Sequence, residues 1–195
     1  FKPFYANLIG SVDEINLNYL FSPNAIIAQL LKTEIFNNKN IDFKLNINAN
    51  NVYNNTNFKN ISLNSKIQEG LIDIDSTQFS WRDIANFTLE NSLIYVKDGE
   101  LLLDGKLNIN INNSDEIYKF LLTPKIYRNE LTNIKVNFVY NFDQKIANLN
   151  NILINNKNNQ DVNKTLESLI FKKNKLQNRL YLKSIFNKAL TFYSG

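Results

Sequence analysis

The sequence predicts a mainly β protein of the α+β class, built as a curved antiparallel sheet that meanders, with flanking helices. The first observation is a strict alternation of apolar and polar residues over 41–49, which returns at 58–67, 101–111 and 134–142. A period of two is typical of strands with one apolar face and one wet face. The second observation is turn-forming residues about every ten positions, which favour hairpins over parallel crossovers.

The N-terminal part predicts one strand and one helix. Alternation over residues 5–20 is weak but indicates a strand. A helix near 22–37 follows, with Ser22 at the N-cap and Pro23 at the first helical position. Its apolar stripe has helical spacing. The stripe comprises Ile26, Ile27, Leu30, Leu31 and Ile35.

A series of short strands comes next, separated by turn signals. Gly70 lies where a turn needs a glycine, and Asp98-Gly99 predicts a tight type I′ hairpin. Asparagine fills most polar positions, which a strand tolerates when that face stands in water. The predicted strands are 41–50, 58–67, 70–76, 77–82, 86–97 and 100–112.

The C-terminal half predicts a helix over 114–122, capped by Ser114, and a hairpin of strands 132–142 and 145–155. Residues 162–190 carry an imperfect helical stripe, which fits one helix or two. We therefore expect a β domain over residues 1–155 and a helical segment, 156–195, packed on it. The chain lacks Met and begins at Phe1, so we interpret it as an excerpt of a longer protein.

Composition excludes several kinds of active site. With no Cys and no His, the chain has no disulfide, no Cys/His zinc site and no histidine acid–base catalyst. None of the five glycines forms a phosphate-binding loop, and no apolar run approaches the roughly 20 residues of a membrane span. We expect no enzyme, no catalytic residue, no metal and no cofactor.

Charged and aromatic motifs have plainer interpretations. The basic run at 171–175 indicates a solvated helix face, so we expect no nucleic-acid partner. Asp73 and Asp75 fit a solvated strand edge better than a paired-carboxylate site. Trp81, the single Trp, is expected to anchor a strand end rather than serve as a stacking platform. Five Asn-x-Ser/Thr triplets are expected by chance in so Asn-rich a chain.

The apolar face of the sheet is the remaining candidate for a functional site. It either closes into a core or stays open as a groove for an apolar ligand, and alternation looks the same in both cases. In a groove, its residues would contact acyl chains at about 0.8 kcal/mol for each buried CH₂. The candidate groove residues are Phe43, Leu45, Ile47, Phe58, Ile61, Leu63, Leu101, Leu103, Leu107 and Ile109.

The order of elements over residues 22–112 resembles the AsmA-like family of Gram-negative envelope proteins, which includes the TamB type. The resemblance lies in the helix 25–31, the strand 41–47, the segment 58–74 around Gly70, and the Gly-x-Leu-x-Leu-x-Gly-like strand 99–105. It implies a half-pipe groove that guides phospholipid toward the outer membrane. It also implies a periplasmic location and an inner-membrane anchor outside this segment, with envelope proteins as further partners.

A second function class stays open from sequence alone. A structural or protein-interaction domain, without lipid cargo, would bind a partner through an exposed sheet edge. Lipid extracted from the purified protein would favour the first class, and a lipid-independent crosslinked partner the second.

Overall fold

The computed structural model describes residues 4–16, 22, 24–33, 35–172 and 178–194. It confirms the predicted class, because one large mixed sheet dominates the fold and a few helices flank it. The last residues of the first predicted strand, 17–20, and the predicted helix position of Pro23 lie outside the described residues.

The sheet contains eleven strands in the described part of the chain. Their bounds agree with the predicted strands to within a few residues at most ends. They are β1 (Phe4–Ile15), β2 (Ile41–Val52), β3 (Asn55–Gln68), β4 (Leu71–Asp73), β5 (Gln78–Trp81), β6 (Ala85–Lys97), β7 (Glu100–Ile111), β8 (Asn133–Asn141), β9 (Ile146–Ile154), β10 (Lys157–Asn158) and β11 (Ile170–Lys172).

Neighbouring strands follow chain order across the sheet, as a meander requires. The order runs from β1 through β2, β3, β6, β7 and β8 to β9, with β4 and β5 between β3 and β6, and β10 and β11 beside β9. All pairs are antiparallel except one, since β1 runs parallel to β2 with Phe4 opposite Ile41. The sequence did not predict this parallel pair. A helix between the two strands supplies the crossover that parallel pairing needs.

The two short strands β4 and β5 are the halves of one interrupted strand, since both lie between β3 and β6. The interpretation of Asp73 and Asp75 as a solvated edge was therefore wrong. Both are half-buried, Asp73 accepts a hydrogen bond from the Asp75 amide at 2.8 Å, and Asp75 accepts one from the Ser92 amide at 2.6 Å. These carboxylates accept hydrogen bonds from backbone amides at the point between β4 and β5 where strand pairing is interrupted.

Four α-helices accompany the sheet in the described ranges, and two predicted helix starts need correction. The first helix has Ala25, not Ser22, at its N-cap, and Asn113, not Ser114, caps the second by accepting from the Glu116 amide. The described residues of the predicted helical region 162–190 contain parts of two helices, with β11 between them. The helices are α1 (Ile26–Lys32), α2 (Ser114–Leu121), α3 (Gln160–Glu167) and α4 (Arg179–Ser194).

Both predicted glycine turns are confirmed by backbone geometry. Asp98 and Gly99 have φ of 52° and 77°, the two positive angles that a type I′ turn requires. Gly70 has φ of 78°. These turns set the register of the strands they join, and that register decides which residues share a face.

The helices pack on one face of the sheet, so the fold has two layers where they lie. Helix α1 packs Ala28 and Leu31 on Ile72, Ile94 and Leu101. The other three helices pack on β7–β9 in a second core cluster, to which residues 156–195 contribute through α3 and α4. The opposite face is polar, with pairs such as Lys44–Lys66 and Asn46–Asn64 across β2 and β3.

Asp143 connects α1 to the hairpin of β8 and β9. Its Oδ2 accepts a hydrogen bond from the Leu101 amide at 2.7 Å, and its Oδ1 pairs with the Lys32 ammonium. Burial raises the pKa of Asp143, but the Leu101 amide and Lys32 lower it more, so the pKa lies below its ordinary value. The charged form is therefore the one that the folded state stabilises.

We expect Asp143→Asn to lower the free energy of unfolding by about 1–2 kcal/mol at neutral pH. Because the folded pKa is depressed, this contribution is complete above the ordinary aspartate pKa of about 3.9 and is lost as the pH falls through the folded pKa. Urea unfolding at several pH values measures the difference. Asp98→Asn, an equal charge change in an exposed turn, should cause little loss. If Asp143→Asn lowered the free energy of unfolding by the same amount down to the lowest pH, the charged Asp143 carboxylate would not be the stabilising group.

Candidate functional site

A cavity of about 390 Å³ lies between the sheet and helices α2, α3 and α4. All of its lining residues are apolar. They are Trp81, Ala85, Phe87, Leu107, Ile109, Ile111, Ile117, Phe120, Leu121, Leu131, Ile134, Val136, Leu149, Ile152, Ile154, Val162, Leu166, Phe186, Ala189 and Leu190. Its volume lies within the range of about 300–1,000 Å³ that is usual for small-molecule pockets.

The floor of the cavity follows from strand alternation. Leu107 and Ile109 project from β7 to the same face, and their partners on β8 are Val136 and Ile134. Ile154, opposite Ile134, extends that apolar surface onto β9. Side chains two residues apart on a strand share a face, so the alternating pattern alone builds this floor.

The roof of the cavity is made by helical stripes. Ile117, Phe120 and Leu121 of α2 lie on one side of that helix, as their spacing predicts. Tyr118 holds α2 in place, because its buried hydroxyl donates a 2.5 Å hydrogen bond to the carbonyl of Asn129. Burial raises the pKa of Tyr118 to about 12, so the phenol stays protonated. Helices α3 and α4 complete the roof.

The mouth of the cavity is marked by aromatic residues that reach solvent. Phe120 is 45% exposed and Phe186 is 37% exposed, although both line the cavity. Trp81 meets Phe120 edge to face, with ring centroids 5.0 Å apart. The Lys183 ammonium lies 4.4 Å from the centre of the Phe120 ring. An apolar interior therefore opens between aromatic rings, beside the Lys183 ammonium.

An aromatic cluster continues the apolar face beyond the cavity. Phe87, which lines the cavity, stacks on Phe79 with centroids 4.7 Å apart. Phe58 meets both rings edge to face, at 5.7 Å and 6.3 Å. All three side chains are half-buried, so this part of the sheet is only partly covered.

Cross-strand register places the ten candidate groove residues on the same face of the sheet, but in different surroundings. Helix α1 covers part of the set, while Leu107 and Ile109 line the cavity. Phe43, Leu101 and Leu103 pack with α1, and Leu45 borders a pocket of about 60 Å³ beside that helix. Ile47, Ile61 and Leu63 belong to a third core cluster. Phe58 belongs to the aromatic cluster.

Sequence reasoning missed most of the cavity. Apolar residues on α2, α3 and α4 were recognised as packing surfaces. Their spacing in the sequence does not show that a gap remains between these helices and the sheet. Trp81 is indeed at a strand end, and it also lines the cavity. Lys183 was assigned to no site.

Other kinds of site find no support among the described residues. They contain no group of three or more acidic residues placed to hold a metal ion. No helix in the described ranges combines the length and hydropathy that crossing a membrane requires. Comparison with protein-family models, curated proteins and solved structures finds no match for this chain.

Proposed function

We propose that this protein is a non-enzymatic lipid-binding protein that holds an acyl chain in the cavity between the sheet and helices α2–α4. The observation that carries the proposal is a cavity of about 390 Å³ with a wholly apolar lining. A site without polar groups neither orients a reacting substrate nor holds bridging water. It matches the chemistry of a hydrocarbon chain.

The energetics of the cavity favour an occupant. Residual cavities destabilise a protein by about 24 cal/mol per Å³. An apolar lining left without contacts is therefore unfavourable, and an occupant that fills the space removes part of that cost. An acyl chain would replace the lost contacts at about 0.8 kcal/mol for each CH₂.

The size of the cavity limits the cargo. A methylene group is close in size to a water molecule, about 30 Å³ in the liquid, so a space of about 390 Å³ is of the order of one acyl chain. This corresponds to one chain, with the headgroup at the mouth. The AsmA-like resemblance is compatible with this cargo, and the periplasmic location, the membrane anchor and a transport role in outer-membrane homeostasis stay predictions of that resemblance.

We expect binding to be visible through Trp81, the single Trp, which lies in the cavity lining. An ω-bromoundecanol chain should quench Trp81 fluorescence saturably. Ala189→Leu adds three carbon atoms to the lining and should displace about as many from the ligand. At about 0.8 kcal/mol for each, affinity should fall more than tenfold. Thermal stability should be unchanged or higher, because the added carbons occupy empty space.

Ser184→Leu is the matched control, since it adds a leucine to the same helix on its exposed side. Its affinity should equal that of the unmodified protein. Absence of saturable quenching, or equal affinity in Ala189→Leu, would reject the cavity as an acyl-chain site. Mass spectrometry of lipid extracted from the purified protein gives an independent readout.

A protein-interaction domain is the second candidate, and the exposed strand β1 favours it. Among the described residues β1 is an edge strand, and it carries large apolar side chains, of which Phe4 is 61% exposed and Ile9 is 73% exposed. A long, exposed, apolar edge is a template for pairing with another chain. A crosslinked partner on β1, together with no quenching of Trp81 by any chain, would favour this function instead.

A further inference from the structure

The Lys183 ammonium at the mouth of the cavity suggests which headgroup the site prefers. The Lys183 ammonium lies over the Phe120 ring at 4.4 Å, and Phe120 belongs to both the cavity lining and the protein surface. The attraction between an ammonium and an aromatic face holds the charge at this rim. The headgroup of a chain inserted in the cavity would therefore emerge beside Lys183.

Lys183 has no carboxylate partner in the part of the chain that the structure describes. Helix α2, which faces it, carries Asp115 and Glu116, but Glu116 pairs with Lys119 at 2.7 Å. No ion pair among the described residues includes Lys183. Its charge is therefore available to a ligand.

The sequence around Lys183 has a uniform sign of charge. After Glu167 the chain contains six Lys or Arg residues and no Asp or Glu. Helix α4 itself carries Arg179, Lys183 and Lys188 without any acidic residue. Helix α4 contributes Phe186, Ala189 and Leu190 to the cavity lining, so its positive charge attracts anions and repels cations there.

We infer that the cavity selects an amphiphile with one acyl chain and a carboxylate headgroup, a long-chain fatty acid, whose carboxylate pairs with the Lys183 ammonium. This inference rests on the proposed function. A space of about 390 Å³ is of the order of one acyl chain. Among the described residues, Lys183 is the cation that lies against a lining residue, and one ammonium balances one negative charge. A phosphate headgroup, with more oxygens and more charge, is usually met by an arginine fork or several donors.

Three bromoundecyl ligands with matched chains test the inference through Trp81 quenching. They are the carboxylate, the alcohol and the trimethylammonium compound, each used below its micelle concentration at slightly alkaline pH. The carboxylate should bind about tenfold more tightly than the alcohol, and the ammonium compound least tightly. Added salt should narrow the difference, because screening weakens a pair at the rim.

Lys183→Glu should reverse the order of the carboxylate and ammonium ligands and leave the affinity for the alcohol nearly unchanged. Lys183→Gln should remove the preference without reversing it, which keeps the test valid if the first variant is unstable. Lys188→Glu is the matched control: its ammonium lies over Phe192, 5.8 Å from the ring centre, and Phe192 is outside the cavity lining. The original order should persist in this control.

The outcomes separate the two proposals. Equal affinity for all three ligands, unaffected by Lys183→Glu, would overturn headgroup selection while leaving acyl-chain binding intact. No saturable quenching by any of the three would overturn the proposed function itself. A single-chain phosphate amphiphile that binds more tightly than the carboxylate would overturn the assignment to a fatty acid.

Discussion

Gly105→Ala is expected to lower the free energy of unfolding by about 3 kcal/mol, because β7 has no room for a side chain at this position. A Cβ atom at Gly105 would overlap the Ser92 hydroxyl and lie 2.8 Å from Ser92 Cβ. Ser92 is completely buried, and its backbone amide donates to Asp75 at 2.6 Å. Moving Ser92 would therefore disturb the interruption between β4 and β5 as well. Urea unfolding measures the loss.

The chain offers both a control and a rescue for this substitution. At Gly10 of β1, a new Cβ would meet nothing within 4 Å, so Gly10→Ala should be neutral. Ser92→Gly combined with Gly105→Ala removes the overlapping atoms and should recover part of the lost stability. If Gly105→Ala were as stable as Gly10→Ala, the inferred close approach of β7 to Ser92 of β6 would be wrong.

Asn163→Ala is expected to cost about 3 kcal/mol, since it leaves two backbone groups of β9 buried without partners. The Oδ1 atom of Asn163 accepts from the Ile152 amide at 2.6 Å, and its Nδ2 atom donates to the Ile152 carbonyl at 2.9 Å. The side chain of α3 thus replaces a neighbouring strand at this point of the sheet edge. Thermal unfolding measures the stability, and hydrogen exchange at the Ile152 amide should quicken.

Asn150→Ala supplies the control, because Asn150 is an exposed asparagine on the same strand. Its stability and its Ile152 exchange rate should match those of the unmodified protein. Unchanged Ile152 exchange in Asn163→Ala would show that the helix does not close this edge. The buried position of Asn163 also agrees with assigning no glycan to its Asn-x-Thr triplet.

Local chemistry explains why much of the fold was predictable. Alternation located the strands, and positive backbone angles at Asp98, Gly99 and Gly70 confirm the turns. Predictions failed at residues whose hydrogen-bonding or strand-pairing partner lies far away in the sequence. Asp73 and Asp75 were placed on an edge because the sequence does not show that β6 covers them. The parallel pairing of β1 was missed because register depends on contacts far along the chain.

The sequence by itself determined the strands, their apolar face and the absence of histidine and cysteine chemistry, because these depend on residue type and on a period of two. Only the tertiary structure decided what covers that face. Helix α1 closes it tightly at one end, whereas α2, α3 and α4 leave about 390 Å³ beneath them. The distance between a helix and a sheet depends on how the side chains of both pack together. The period of the apolar residues in the sequence does not determine that packing. The proposed binding site, an apolar cavity with Lys183 at its mouth, is therefore a product of packing.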